Sequence, residues 1–160
     1  MLFRSVVGAA GGVGSAAVTL ARWLGADVTG AVRKPGQLAA IEASGARSLL
    51  LPEGSSLEEA TRAQLGQGYD VVFDASGERL AESIVLLAPF GRSVVIVRYG
   101  DGKVNVPIRD LYRRGASIVG VNSLLYDAAA CATILTRLQP AFDTGQLAAP
   151  TAIDERSLDT

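Results

Sequence analysis

The chain has 160 residues, of which 49% are apolar, and its 15 basic and 16 acidic side chains give a formal net charge of −1. This length predicts one well-packed domain, the balanced charge argues against a nucleic-acid partner, and no apolar run is long enough for a membrane span. Because the chain has no histidine and a single cysteine, it excludes a Ser-His-Asp triad, a Cys-His dyad, a histidine-based metal site and an internal disulfide.

Strand-like and helix-like segments alternate along the chain. Strands are predicted at about 2–7, 27–32, 47–51, 70–75, 92–98 and 116–121. Helices are predicted at about 13–24, 36–44, 56–66, 78–88 and 126–142. Runs such as Val94–Val97 are apolar throughout, as expected for strands that helices cover on both faces. The pattern predicts an α/β domain with a doubly wound, mostly parallel sheet and helices on both faces.

A glycine-rich turn follows the first predicted strand and opens directly into the first predicted helix. Its spelling is Ala9-x-Gly11-x-x-Gly14, with alanine where the commoner fingerprint has its first glycine. Small residues let the backbone approach a pyrophosphate, and the free N–H groups of the new helix point at the anion. The turn predicts a Rossmann-type dinucleotide site, and the alternative is a tight turn without a ligand. The residues predicted to bind the cofactor here are Ala10, Gly11, Gly12, Val13 and Gly14.

The end of the second predicted strand carries two cations. Proteins that bind NAD usually place an acidic residue there, about 20 residues past the glycines, to hold the ribose 2′-hydroxyl. This chain has Arg33 and Lys34 instead. A carboxylate would repel a 2′-phosphate, whereas Arg33 can grip it with a planar fork of donors and Lys34 can add charge. The pair predicts a preference for NADP(H), and the alternative is a solvated pair of loop cations.

Two later blocks make the pattern more specific. The first, Tyr69–Gly77, ends in Phe-Asp-Ala-Ser-Gly, and the second, Leu86–Val97, reads Leu-Leu-Ala-Pro-Phe-Gly-Arg-Ser-Val-Val-Ile-Val. With the glycine turn and the segment 108–120, they resemble the cofactor domain of medium-chain dehydrogenases/reductases. The resemblance runs from about Val6 to Asp159. It is greatest to the zinc-independent quinone oxidoreductase branch, which includes zeta-crystallin-like enzymes and enoyl reductases.

The resemblance implies NADPH-dependent reduction of a quinone or of an activated carbon–carbon double bond. It implies that residues at strand ends line the ribose and nicotinamide, namely Ser76, Gly77, Val97, Arg98 and Val119. A turn that ends the strand and caps the next helix is the other interpretation of Asp74, Ser76 and Gly77. Nothing in the chain is predicted to act as a catalytic acid, base or nucleophile, and no metal site is predicted.

The resemblance also sets an expectation for the domain as a whole. Relatives carry a separate catalytic domain, mostly before the glycine turn, so we expect residues 1–160 to be a single dinucleotide-binding domain and a fragment. We expect a small-molecule substrate to meet the missing domain, and this chain alone to be inactive. Relatives often pair edge strands, which makes Ala116–Val121 the candidate surface for a homodimer. The lone cysteine fits a reducing compartment, and we expect a cytoplasmic protein without a membrane partner.

Two alternatives stay open. A short-chain reductase needs Tyr-x-x-x-Lys on a helix, and the chain spells it at Tyr99 and Lys103. Gly100 and Gly102 make a helix there improbable, so we interpret the match as chance. The other alternative is a non-catalytic NAD(P)-binding sensor module.

Overall fold

The computed structural model describes residues 2–64, 68–98 and 100–148. By its internal contacts the chain divides into two units, Met1–Ser123 and Leu124–Thr160. The first unit contains the strands of the described chain, and the second contains one long helix, Ala128–Asp143. The strands, in chain order, are β1 (Phe3–Val7), β2 (Asp27–Val32), β3 (Arg47–Leu50), β4 (Tyr69–Asp74), β5 (Leu87–Val95) and β6 (Ser117–Gly120).

Helices follow each of the six strands along the chain, and the sequence pattern predicted all of them except the short one between β5 and β6. Short 3-10 turns at Pro35–Gln37 and Ser123–Leu125 accompany them. The α-helices are α1 (Gly12–Trp23), α2 (Leu38–Ala43), α3 (Leu57–Gln64), α4 (Leu80–Val85), α5 (Ile108–Arg113) and α6 (Ala128–Asp143). Among the described residues, no helix combines the length and the apolar character that crossing a bilayer requires.

The six strands form one sheet in the order β3-β2-β1-β4-β5-β6, and every neighbouring pair is parallel. The prediction of a doubly wound α/β sheet is confirmed. The chain moves outward from β1 to β3 and then returns to place β4 beside β1. The carboxyl ends of β1 and β4 therefore flank the point where the strand order reverses, which is where open α/β sheets bind ligands.

Two apolar clusters cover the two faces of the sheet. Successive residues of β1 point to opposite faces, so Val6 belongs to one cluster and Val7 to the other. Val18 of α1 and Ile41 of α2 pack in the Val6 cluster, while Leu57 of α3 packs in the Val7 cluster. At about 25 cal/mol per Å² of buried apolar surface, these two layers supply the main driving force for folding.

The fifth strand differs most from its prediction. It begins at Leu87 rather than near 92 and ends at Val95 rather than near 98. The register explains both ends: Leu87 pairs with Tyr69, then β5 bulges, and pairing resumes at Arg92 and ends with Val95 opposite Asp74, the last residue of β4.

Phe90 lies in this bulge with φ of 62°, which is uncommon for a residue with a side chain. Its N–H donates to the carbonyl oxygen of Arg114 at 2.7 Å, and its ring lies against Gly115, where an added Cβ would come within 3.1 Å of it. The hydrogen bond ties the bulge to the end of α5, a short helix that the sequence patterns did not predict.

The remaining boundaries shift by a few residues. The predicted helix 78–88 is shorter, Leu80–Val85, because residues 75–79 form a loop before it and β5 already begins at Leu87. The helix predicted from 36 begins at Leu38, after the 3-10 turn that contains Pro35. The last two residues of the helix predicted at 56–66 lie outside the described residues.

Four hydroxyl groups come together in the interior beneath β1, β2 and α3. They belong to Ser5, Thr29, Thr61 and Tyr69, which are 0–2% exposed. None of the four oxygens has hydrogen-bond geometry to a partner among the described residues. Burial raises the pKa of the Tyr69 hydroxyl above its ordinary value of about 10, and the nearby hydroxyls of Thr29, Ser5 and Thr61 oppose that rise only in part.

Tyr69 should make the stability of the fold sensitive to alkaline pH. Unfolded Tyr69 ionises near pH 10, whereas folded Tyr69 stays neutral to higher pH, so the free energy of unfolding should fall as pH rises above about 10. Tyr69→Phe removes this term. Denaturant unfolding of both proteins from pH 7 to 11 checks it, and a difference between them that does not change with pH would contradict it.

Candidate functional site

The glycine turn is held by backbone hydrogen bonds. Gly8 has φ of 77°, a conformation that favours glycine. The N–H groups of Gly8 and Ala9 both donate to the carbonyl oxygen of Ala31 on β2, at 3.1 and 3.0 Å. Gly11 donates to the Gly8 carbonyl at 3.1 Å. The turn is thereby fixed between β1 and β2 at the carboxyl edge of the sheet.

Gly14 lets α1 rest directly on this turn. A Cβ at Gly14 would collide with the carbonyl oxygen of Gly8, and it would lie 2.8 Å from the Gly8 carbonyl carbon and 2.9 Å from the Cα of Ala9. All three atoms belong to the backbone, which cannot move aside without breaking the turn. The position therefore requires glycine for close packing of helix and strand.

The first turn of α1 is left open to a ligand. Its N-cap, Gly11, offers no capping side chain, and the turn contains no acidic residue. The N–H of Ser15 donates to Gly11 at 2.8 Å, so the amides of Gly12, Val13 and Gly14 precede the first helical hydrogen bond. Their partial positive charge suits an anion such as a pyrophosphate.

A cavity of about 380 Å³ opens beside this turn. Four of the predicted binding residues line it: Ala10, Gly11, Arg33 and Ser76. It is bounded by the carboxyl ends of β1, β2 and β4, which is the crevice that the strand order predicts. The remaining lining residues are Val7, Gly8, Val32, Gln37, Leu51, Ala75, Glu78 and Arg79.

Arg33 is exposed at the end of β2 and reaches the cavity wall. In the described stretches of the chain, its guanidinium takes part in no ion pair or side-chain hydrogen bond. Lys34 is exposed beside it but does not line the cavity, and its backbone N–H donates to Oε1 of Gln37 at 3.1 Å. Arg33 therefore presents five unused donors to any anion in the cavity.

The loop after β4 is organised by Asp74, which is 1% exposed. Its Oδ1 accepts from the N–H and Oγ of Ser76 at 2.9 and 2.6 Å and from the N–H of Gly77 at 3.1 Å. Its Oδ2 accepts from the N–H of Arg79 at 2.8 Å. The structure therefore shows the turn that ends β4, whereas the N-cap of α4, Arg79, makes no side-chain capping hydrogen bond. Ser76 lines the cavity as well.

Gly77, Val97 and Arg98 are brought together where the loops after β4 and β5 meet. A Cβ at Gly77, whose φ is 71°, would lie 2.6 Å from the Val97 carbonyl oxygen. Arg98 donates to the Gly77 carbonyl at 3.0 Å. Val119 lies apart from them on the edge strand β6, paired with Val94. None of these residues lines the 380 Å³ cavity.

Two cavity residues that the sequence patterns did not single out are held in place. Arg79 donates from Nη1 to the carbonyl oxygen of Ser55 at 2.9 Å and to Glu82 Oε1 at 2.7 Å. Glu82 Oε2 in turn accepts from the N–H of Leu57 at the start of α3, at 2.6 Å. Gln37 is the other. Arg79 lies in the loop that follows β4, and this position after a strand was the sequence signal that could have indicated a cavity residue.

Lys103, the second half of the short-chain motif, does not lie on a helix. Its N–H donates to Oδ1 of Asp101 at 2.9 Å, and Gly102 before it has φ of 74°. Tyr99 lies outside the described residues. The geometry at Lys103 supports the interpretation of the Tyr-x-x-x-Lys match as chance.

The fold and this cavity define a dinucleotide-binding domain: a parallel sheet, a glycine turn at the switch in strand order, and an open helix N-terminus. Residues 12–138 match the family described as zinc-binding dehydrogenase. The chain belongs to this family, and it is an NAD(P)-binding domain of the medium-chain dehydrogenase/reductase superfamily.

The relatives include a polyketide synthase protein and a quinone oxidoreductase. The chain is 36% identical over 145 residues to the spectinabilin polyketide synthase system protein NorB of Streptomyces orinoci, which covers 87% of the chain and 6% of NorB. Among solved structures, the quinone oxidoreductase of Thermus thermophilus, also determined in complex with NADPH, is 33% identical with a TM-score of 0.71. That match covers 89% of this chain and 46% of the oxidoreductase. The chain therefore spans a minor part of these relatives.

A second solved structure matches this chain over most of its own length. It is a putative enoyl reductase domain of polyketide synthase, 25% identical with a TM-score of 0.74. The match covers 94% of this chain and 87% of that chain.

The family description mentions zinc, and the residues do not fit such a site. The described part of the chain brings together no group of three or more His, Cys, Asp or Glu side chains. With no histidine and one cysteine in the whole sequence, this chain does not contain a set of the nitrogen and sulfur ligands that zinc usually takes.

Substitution of Gly11 should block the cofactor without harming the fold. Gly11 has φ of −77° and ψ of 165°, which any residue adopts, and an added Cβ would meet only the Gly8 oxygen at 3.4 Å. In Gly11→Val, a branched side chain would occupy the approach of the pyrophosphate. We expect Kd for both NADPH and NADH to rise at least about 10-fold, with an unchanged melting temperature.

Gly36→Val is the matched control, because an added Cβ there meets nothing within 4 Å. It should keep the NADH affinity of the wild type in the same fluorescence titration. Normal binding by a folded Gly11→Val protein would place the phosphate site elsewhere.

Proposed function

We propose that this chain binds NADP(H) in preference to NAD(H), at the cavity beside the glycine turn. The observation that carries the proposal is the guanidinium of Arg33 at the cavity wall, which has no partner among the described residues, at the end of a strand where an NAD-binding protein usually has an acid. An anionic 2′-phosphate matches that guanidinium in charge and in geometry. The NADPH complex of the Thermus thermophilus relative supports the same choice.

The chain's residues divide the work of binding. The amides of Gly12, Val13 and Gly14 would hold the pyrophosphate, with Ala10 and Gly11 leaving room for it. Arg33, aided by the charge of Lys34, would hold the 2′-phosphate. Ser76 lies on the cavity wall toward β4. Gly77, Val97, Arg98 and Val119 are proposed to belong to the nicotinamide side.

We further propose that the protein in which this domain works reduces a quinone or an activated carbon–carbon double bond without zinc. Bound NADPH supplies the hydride, and the domain holds and orients it. Similarity to a quinone oxidoreductase and to a putative enoyl reductase domain supports this reaction class. A catalytic domain outside residues 1–160 would supply the substrate site, and the proposed compartment is the cytoplasm.

Replacing Arg33 should separate the two cofactors. A charge-assisted hydrogen bond contributes about 1.5–3 kcal/mol, so Arg33→Ala should weaken NADPH binding by roughly 10- to 100-fold and leave NADH nearly unchanged. Isothermal titration with each cofactor measures the difference. Arg33→Lys is the matched variant, since it keeps the charge but loses the planar fork. Its NADPH affinity should lie between those of the wild type and Arg33→Ala. An equal loss for both cofactors would show that Arg33 does not contact the 2′-phosphate.

The reaction is tested on the whole protein that carries this domain, by following NADPH absorbance with quinones, enones and enoyl thioesters. We expect consumption that depends on one of these substrate classes, and none above background with the 160-residue chain alone. NADPH binding without consumption by the whole protein would favour the sensor alternative.

We also propose that two copies of the chain pair through β6. All four residues of this edge strand are exposed, and Ile118 and Val119 are 38% and 37% exposed. An open strand edge offers unpaired N–H and C=O groups to a second strand. Analytical ultracentrifugation of the chain decides between monomer and dimer.

A further inference from the structure

The guanidinium of Arg98 ties two loops together. Nη1 donates to the carbonyl oxygen of Gly77, 21 residues earlier, at 3.0 Å. Nη2 donates to the carbonyl oxygen of Lys103 at 2.9 Å. Gly77 belongs to the loop after β4 and Lys103 to the segment after β5. Each terminal nitrogen thus donates to a backbone carbonyl.

The Gly77 side of this tie is rigid. Asp74 accepts from the N–H of Gly77 on one side, and the Val97 carbonyl lies so close that a Cβ at Gly77 would be 2.6 Å from it. The loops after β4 and β5 therefore touch through backbone atoms. This close backbone contact prevents the two loops from sliding past each other when a further interaction holds them together.

The Lys103 side is a compact turn. Gly100 and Gly102 have φ of 71° and 74°, and the N–H of Lys103 donates to Asp101 Oδ1 at 2.9 Å. Both of these features lie within the turn itself. Arg98 is the side chain that connects the Lys103 carbonyl to the loop after β4.

The order of the strands places this tie on the nicotinamide side. Arg33 lies at the end of β2, the glycine turn follows β1, and β4 and β5 lie on the other side of β1. A dinucleotide with its 2′-phosphate at Arg33 and its pyrophosphate at the turn must therefore extend toward the ends of β4 and β5. This step rests on the proposed function.

We propose that Arg98 is a positioning residue for the nicotinamide half of the cofactor rather than a ligand of it. By holding the loops after β4 and β5 in one arrangement, it forms in advance the surface that this half meets. The gain in affinity comes from the ordering entropy that binding no longer has to overcome. Arg98 differs in this from Arg33, whose donors are unused in the described structure.

The test compares Arg98→Lys, which keeps the charge, with Arg98→Gln, which does not. Neither side chain has the planar fork whose two terminal nitrogens reach the two carbonyls. We expect both variants to weaken NADPH by about 5- to 10-fold and to leave 2′,5′-ADP, the adenosine half, within about twofold of the wild type. The dependence of log Kd on salt should stay that of the wild type. Arg109→Gln, which removes an exposed arginine from α5, is the matched control and should bind both ligands normally.

A direct contact with a cofactor phosphate would give a different result. Arg98→Lys would then keep most of the affinity, while Arg98→Gln would lose it and reduce the salt dependence. That outcome, or normal NADPH affinity in both variants, would overturn the positioning role.

Hydrogen exchange of the unliganded chain gives a second measurement. Amides of residues 76–79 and 101–104 should exchange at least about fivefold faster in both variants, because the loops lose their tie. Unchanged exchange would overturn the proposal. Failure of the wild-type chain to bind either nucleotide would instead overturn the proposed function, and it is distinguished by the wild-type titration alone.

Discussion

The arrangement of the site depends on the backbone contact between α1 and the turn after β1. Because Gly14 has no side chain, the first turn of α1 rests on the carbonyl of Gly8 and the Cα of Ala9. That contact fixes the distance between helix and strand, and with it the position of the amides of Gly12, Val13 and Gly14 at the start of the helix. A larger residue at Gly14 would move the whole helix, and with it the anion site, rather than one side chain.

A second constraint acts on the neighbouring loop. Burying the carboxylate of Asp74 is costly unless its oxygens are satisfied, and four donors from residues 76, 77 and 79 satisfy them. The loop must therefore follow one path around that carboxylate. At the end of this loop, the side chain of Arg79 donates hydrogen bonds to the Ser55 carbonyl and to Glu82. These bonds connect the two cavity walls that the loops after β3 and β4 form.

The parts that could be predicted from sequence are those with a local cause. The residues of the glycine turn are consecutive in the sequence, and so are the two cations after β2. The alternation of apolar runs indicates the parallel sheet. The bulge at Phe90 arises from pairing between β4 and β5, which are separate in the sequence. A local sequence pattern therefore could not predict it. Arg98 was recognisable as a strand-end residue, but its partner Gly77 lies 21 positions away, so its geometry could not be read from its neighbours.

The sequence contains no imidazole, and this has a consequence for how the site senses acidity. With no histidine, no side-chain type present in this chain has an ordinary pKa between about 4.5 and 8. The second ionisation of a phosphate monoester falls near pH 6. A change in nucleotide affinity near pH 6 would then reflect the charge of the ligand's phosphate rather than the ionisation of a protein side chain.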